Sequence, residues 1–227
     1  MDQESMESAE SEKLDESVQA KVEEAKEAEE ISKGLDSLPE HVHTEEEMHE
    51  ELKIPKDRVA VLIGSSGVTK TLIEKKTECS INVDSADGQV TISGYDAIRL
   101  FDCKDIVLAI GRGFNPKIAL KLLGENHSLE VIRLRDVVGG NQRGQERLKS
   151  RIIGREGKVR GEIERLTKCD LSIYGKTVAI LGDSMDVALC HRAVEMLLKG
   201  AMHKTVYRFL EKQIKDAEMG LKDFKEM

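Results

Sequence analysis

From residue 51 onward the chain switches repeatedly between two hydrophobic periods, and the switches come in the same order twice. Four short stretches bounded by turn residues read as strands: Ser80–Asp84, residues 89–93, Asp170–Tyr174 and residues 177–181. Apolar residues three and four apart predict helices. One ends at Ile63 and is followed by Val68–Thr77 and 96–110; another ends at Ile153 and is followed by Lys158–Thr167 and 183–198. A short strand precedes each set, at 51–54 and at 130–135, where Val131, Arg133 and Arg135 alternate with Ile132 and Leu134. The predicted fold class is α+β, a β-α-α-β-β-α unit present twice, each a three-stranded sheet packed by helices. At about 80 residues such a unit is a normal small domain. A linking helix is expected over 115–123, begun by Asn115-Pro116 and ended at Gly124. An inserted loop is expected over 139–144, and a C-terminal helix over 203–224.

The repetition extends to the residues themselves. Residues 61–83 lie on 151–173 without a gap, and seven of the 23 positions are identical: Ile63/Ile153, Gly64/Gly154, Gly67/Gly157, Ile73/Ile163, Glu74/Glu164, Thr77/Thr167 and Cys79/Cys169. A loop two residues shorter then brings VTISG at 90–94 onto VAILG at 178–182. Agreement at apolar, glycine and turn positions, where backbone geometry restricts the choice, marks a duplicated domain.

Charge divides the chain differently. Residues 1–53 hold 19 acidic and five basic residues, a net charge of −14, whereas the remaining 174 carry +6. All seven aromatic residues and 17 of the 18 glycines also lie after residue 53. The organisation expected is an acidic, disordered tail at 1–49, with a transient helix over 11–32; a first domain with its linking helix at 50–125; a second domain at 126–202; and a C-terminal helix at 203–227. The overall charge of −8 therefore says nothing against an anionic partner for the body. No apolar run exceeds five residues and the acidic N-terminus has no signal-peptide character, so a cytoplasmic protein without membrane contact is expected. Cys79, Cys103, Cys169 and Cys190 are far apart and read as reduced core residues, not as zinc ligands. His41, His43 and His49 fall in the acidic stretch, without a fold to hold a metal.

The two Gly-x-x-Gly loops carry the chemistry. Each closes one short helix and opens another, so its glycines allow a tight turn and a close approach of a second backbone. The opening helix aims free N–H groups and the positive end of its dipole at the loop, an arrangement that favours phosphate. An apolar groove formed by the two helices and the middle strand of each unit would take unstacked bases. Both units resemble KH domains of the eukaryotic and archaeal topology (type I), in which this loop clamps about four nucleotides. The motifs that carry the resemblance are RIIGREGKVR at 151–160 with 171–181, and the less typical VLIGSSG at 61–67. The tandem arrangement resembles the archaeal relatives of the partner-of-Nob small-subunit ribosome assembly factors, over residues 50–220. That resemblance points to an archaeal source. It implies binding to single-stranded RNA at the 3′ region of the small-subunit (16S) rRNA precursor during ribosome assembly and rRNA processing. It also implies cooperation with the rRNA-maturation endonuclease and contact with the α subunit of initiation factor two.

The units are unequal. In the second, Gly154-Arg155-Glu156-Gly157 is set among Lys149, Arg151, Lys158 and Arg160, a cluster able to neutralise several phosphates, with Ile153, Ile163 and Leu171 lining or supporting the groove. In the first, Gly64, Ser65, Ser66 and Gly67 are followed by Lys70 alone, which predicts weaker RNA binding or a docking platform. Tyr174 at a strand end reads as packing, and Arg143 in the inserted loop as a flexible position. The body has no phosphate loop of nucleotide-hydrolysing enzymes, no nucleophile–base–acid set and no acidic cluster for two-metal chemistry, so no catalytic residue, metal or cofactor is expected. The competing reading is a protein-interaction scaffold in which RNA binding is secondary.

Overall fold

The computed structural model describes residues 46–225, so the acidic segment and its expected helix at 11–32 lie outside the described residues. The first unit runs β1 (Met48–Lys53), α1 (Lys56–Ile63), a 3-10 turn (Ser65–Gly67), α2 (Val68–Thr77), β2 (Ser80–Asp84), β3 (Gln89–Gly94) and α3 (Ala97–Gly111). A linker follows, α4 (Pro116–Ala119), tightening to 3-10 over Leu120–Leu123. The second unit is β4 (His127–Arg133), α5 (Leu134–Val138), α6 (Gln142–Ile153), a 3-10 turn (Arg155–Gly157), α7 (Lys158–Thr167), β5 (Asp170–Tyr174), β6 (Thr177–Asp183) and α8 (Ser184–Leu198), and α9 (His203–Lys225) ends the chain. Each sheet is antiparallel with its last strand central, in the orders β1-β3-β2 and β4-β6-β5. The strand that is second in sequence is thus an edge in space.

Two first strands start earlier than the pattern suggests, at Met48 and His127, because their register is set by the partner: Met48 lies opposite Gly94 and His127 opposite Asp183. β4 also stops at Arg133, opposite Thr177, where its partner strand begins. Leu134 is buried and opens α5, its N–H held by the Lys176 carbonyl at 3.0 Å. The inserted loop shrinks to Gly139–Gly140–Asn141. The Asn141 side chain accepts the Gly144 N–H at 3.2 Å, so α6 begins at Gln142 and reaches 12 residues against eight in α1.

Four of the seven identical positions of the repeat belong to one device at the end of the second helix. The Glu74 carboxylate accepts the Ile81 N–H at 2.8 Å and the Glu164 carboxylate accepts the Leu171 N–H at 2.8 Å, tying α2 to β2 and α7 to β5. Thr77 and Thr167 donate back to the carbonyls of Ile73 and Ile163, at 2.9 and 2.8 Å. Cys79 and Cys169 are buried beside them, and burial pushes the Cys79 thiol up and that of Cys103 to about 12, as fits inert core thiols. Glu164→Ala should lower unfolding free energy by about 1.5–3 kcal/mol, the worth of a partly buried hydrogen bond to a charged group. Urea titration followed by circular dichroism reads this, and a loss within 0.5 kcal/mol, about that of an ordinary surface change, would show the bond to be dispensable.

The sheets differ in what covers them. In β3 only alternate residues, Val90 and Ile92, are wholly buried, whereas Val178, Ala179, Ile180 and Leu181 of β6 all are. Val178 and Ile180 belong to the second unit's own core, but Ala179 and Leu181 join the core of the first, with Leu129 and Val131 packed against it. The continuous apolar run of β6 is that of a strand buried on both faces.

Candidate nucleic-acid interface

The two loops have the same backbone. Gly64 and Gly154 adopt φ/ψ of 74/177 and 72/179, Ser66 and Glu156 54/27 and 54/28, Gly67 and Gly157 80/5 and 75/7. A non-glycine residue held at left-handed φ in both copies is a local cost of the kind found at binding loops. Neither α2 nor α7 has a side-chain cap at its N-terminus, and the first N–H of each, on Val68 and Lys158, donates to the Ser65 and Arg155 carbonyls of its own loop, so the positive end of each helix is turned to the loop. The four-residue geometry of the first unit is therefore intact, and what it lacks is charge.

The basic residues proposed from the sequence separate into three groups. Arg155 and Lys158 are exposed at the second loop. Lys158 lies 3.5 Å from Glu156 with both side chains about three-quarters exposed, so the pair is well screened by water, and among the described residues Arg155 has no carboxylate partner. Lys149 and Arg160 stand nearby but are engaged, with Glu146 at 2.7 Å and Glu164 at 3.0 Å. Arg151 leaves the set. Its guanidinium turns to the far side of α6 and donates to the carbonyls of Gly200, at 2.9 Å, and Ala201, closing the end of α8. Arg58 of α1 does the same for α3, donating to the carbonyls of Ile110 at 2.8 Å and Phe114 at 2.6 Å. Leu171 and Ile163 are wholly buried and can only support the groove, while Ile153 is half-buried beside the loop. In the first unit Lys70 pairs with Glu74 at 3.5 Å, and Val68, 63% exposed, stands where the second has Lys158.

In the same domain α6 and the β5–β6 turn enclose a cleft of about 300 Å³, lined by Gly140, Gln142, Gln145, Glu146 and Lys149 on one wall and Gly175 and Lys176 on the other, with Lys149 the lining residue nearest in sequence to the loop. Sequence reasoning missed Gln142, Gln145 and Lys176. The signal was the Tyr-Gly-Lys-Thr turn between strands, which places Lys176 across from α6. Tyr174 is indeed a packing residue, its hydroxyl donating to the Asp57 carboxylate of the first unit, a bond that holds the phenol above its ordinary pKa.

Residues 128–215 match the family model of the second KH domain of PNO1 proteins, a eukaryotic-type KH domain of type I, and residues 49–109 match the general KH-domain model. A KH domain-containing protein of Methanocaldococcus jannaschii is 50% identical over 166 residues, 71% of this chain and 72% of its own. The chain belongs to the KH-domain family, in its two-domain PNO1/Dim2 form. A Pyrococcus horikoshii structure of an a/eIF2α–aDim2p–rRNA complex contains a chain 44% identical, with a TM-score of 0.71 over 76% of this chain and 97% of that one. RNA-binding protein pno1 of Drosophila melanogaster is 28% identical over 134 residues, 59% of this chain, which spans about half the length of the fly protein.

Within the KH frame the asymmetry of the copies is electrostatic. Both KH domains keep the clamp backbone, but the KH2 loop carries the exposed cations Arg155 and Lys158 where the KH1 loop has Ser65 and Val68. KH1 presents Val68, Tyr95, Ile98 and Phe101 to solvent instead, each more than half exposed.

Proposed function

We propose that this protein is a non-enzymatic, cytoplasmic RNA-binding factor that holds the single-stranded 3′ region of the small-subunit rRNA precursor in the cleft of KH2 during ribosome assembly. The observation that carries the reading is the exposure of Arg155 and Lys158 on the loop where α7 begins without a side-chain cap, in the domain that also holds a cleft of about 300 Å³ between α6 and the β5–β6 turn. Phosphates sit on the loop, where backbone N–H groups and the two cations meet them, and bases turn into the cleft towards Gln142, Gln145 and Lys176. The likeness to the aDim2p chain of the P. horikoshii complex supports rRNA and the α subunit of initiation factor two as partners. The exposed apolar side chains of KH1 favour a protein on that side, either this factor or the endonuclease that matures the rRNA end.

The test is a titration of the full chain with a fluorescent single-stranded RNA carrying the rRNA 3′ end, beside a permuted RNA of equal length and composition. The 3′-end RNA should bind at least tenfold more tightly, roughly one good base contact's worth of discrimination. Equal affinities would leave a general RNA binder and remove the assignment to the rRNA end.

A further inference from the structure

One wall of the KH2 cleft is held by the other domain. β5 is an edge strand, and its residues alternate between two neighbours. Leu171 and Ile173 turn to the KH2 core. Asp170, Ser172 and Tyr174 each bond to KH1 or the linker: Asp170 with Lys121 Nζ at 2.6 Å, the Ser172 hydroxyl donating to the Arg112 carbonyl at 2.8 Å, and the Tyr174 hydroxyl donating to Asp57. The Arg58 guanidinium lies over the Tyr174 ring, 5.8 Å from its centroid, and is itself fixed by its two bonds to the end of α3. Gly113, at φ +101, lets the domains meet this closely, since a Cβ there would come within 2.7 Å of Ser172 Oγ and 2.8 Å of Tyr174 Cβ.

The next two residues, Gly175 and Lys176, are the rim of the cleft. Gly175 has φ +55 and nothing within 4 Å of a Cβ position, and the turn is closed by the pairing of Tyr174 with Thr177, whose hydroxyl donates to the Tyr174 carbonyl at 3.0 Å, so the turn follows wherever Tyr174 is held. One end is held by the Leu134 N–H on the Lys176 carbonyl, and the other by Tyr174.

We propose that KH1 is a splint for the RNA cleft of KH2: by clamping Tyr174 between Asp57 and Arg58 it sets the distance of the Gly175–Lys176 rim from α6. Tyr174 is a positioning residue that need not touch RNA. The inference rests on the reading that this cleft takes the strand. A rim fixed in advance spares the complex the cost of ordering it, so loosening the clamp lowers affinity without removing a contact.

The experiment measures RNA affinity of the full chain at several salt concentrations for Tyr174→Phe, Asp57→Ala, the two combined, Asp57→Asn and the reference double variant Arg155→Gln, Lys158→Gln, with circular dichroism confirming the fold. Tyr174→Phe and Asp57→Ala should each weaken binding about three- to tenfold, the range for an ordinary exposed hydrogen bond. The combination should lose no more than either alone, because the two share one bond. The salt slope should stay at the wild-type value, since no phosphate contact is lost. Asp57→Asn keeps an acceptor and should bind as wild type. Amide exchange should rise at Gly175 and Lys176 and not in α8. Unchanged affinity in Tyr174→Phe would overturn the proposal. So would additive losses in the combination, or a salt slope reduced as by a lost phosphate contact. Loss of affinity in the reference variant alone would refute the splint and leave the cleft reading standing. Wild-type affinity in the reference variant would refute the cleft reading, and the splint with it.

Discussion

Replacing Arg155 and Lys158 together by glutamine should cost one to two orders of magnitude, roughly, in affinity for single-stranded RNA at low salt. The dependence of log affinity on log salt should flatten by about 1.4, because each phosphate neutralised on a single strand contributes about 0.7. The prediction singles out these two because the other basic residues of the motif are already occupied. Arg160 and Lys149 have carboxylate partners at 3.0 and 2.7 Å, and Arg151 closes the end of α8. Arg155 and Lys158 are exposed, and the Lys158–Glu156 contact is open to water on both sides, so neither gives up much to meet a phosphate. The variant also leaves the Glu156 carboxylate at the loop tip without a nearby cation, which adds repulsion. Arg151→Gln is the contrast: its loss should appear in thermal stability and leave the salt slope unchanged. If the double variant binds with wild-type affinity and slope, phosphate recognition lies elsewhere on the molecule.

Apart from α5, which takes Leu134 and Arg135 from the expected strand, the order of elements was legible in the sequence, as were the bounds of α2, α7, β2 and β5, because each of these is a periodic run flanked by a glycine loop or a turn. What the sequence withheld depends on partners far away in the chain. The start of β1 is fixed by Gly94 across the ladder, and Glu50, a charged residue in that strand, is accommodated by Lys104 of α3 at 2.9 Å. Arg147, Lys149 and Arg151 look alike in a list of basic residues near a glycine loop. Only the fold shows that Lys149 lines the cleft while Arg147 and Arg151 face a second hollow beside the end of α8. Leu171 carries the right chemistry for a base groove and the wrong side of the strand. The weakness inferred for the first loop rests on charge. Serine at 65 and 66 removes charge, but the backbone angles match those of the second loop, which composition alone does not reveal. The apolar run of β6 held the clearest unread signal. Alternation in β3 against continuity in β6 already distinguishes a sheet with one buried face from a sheet with two.

Gly154→Ala and Gly157→Ala should differ sharply in stability although both remove a glycine from one four-residue loop. Gly154 sits at φ 72, ψ 179, a conformation open essentially to glycine alone. A Cβ there would lie 2.3 Å from Val159 Cγ2 and 3.0 Å from the Val159 backbone nitrogen. Val159 is buried, so its side chain cannot swing aside, and relief requires α7 to move from its packing under the loop. Strain and overlap together should cost about 3–4 kcal/mol. Gly157 is at φ 75, ψ 7, an ordinary left-handed position with nothing within 4 Å of a Cβ. Alanine there costs about 1–2 kcal/mol for the conformation, partly offset by a less flexible unfolded chain. Urea unfolding should therefore show a midpoint shift several times larger for Gly154→Ala, with equal shifts counting against the geometry. RNA affinity should separate the two again. Gly157→Ala stays folded but sets a methyl group where a phosphate must approach the α7 N–H groups, so its loss appears in binding, whereas that of Gly154→Ala appears in the fold. One loop thus contains a glycine needed by the protein and a glycine needed by its ligand.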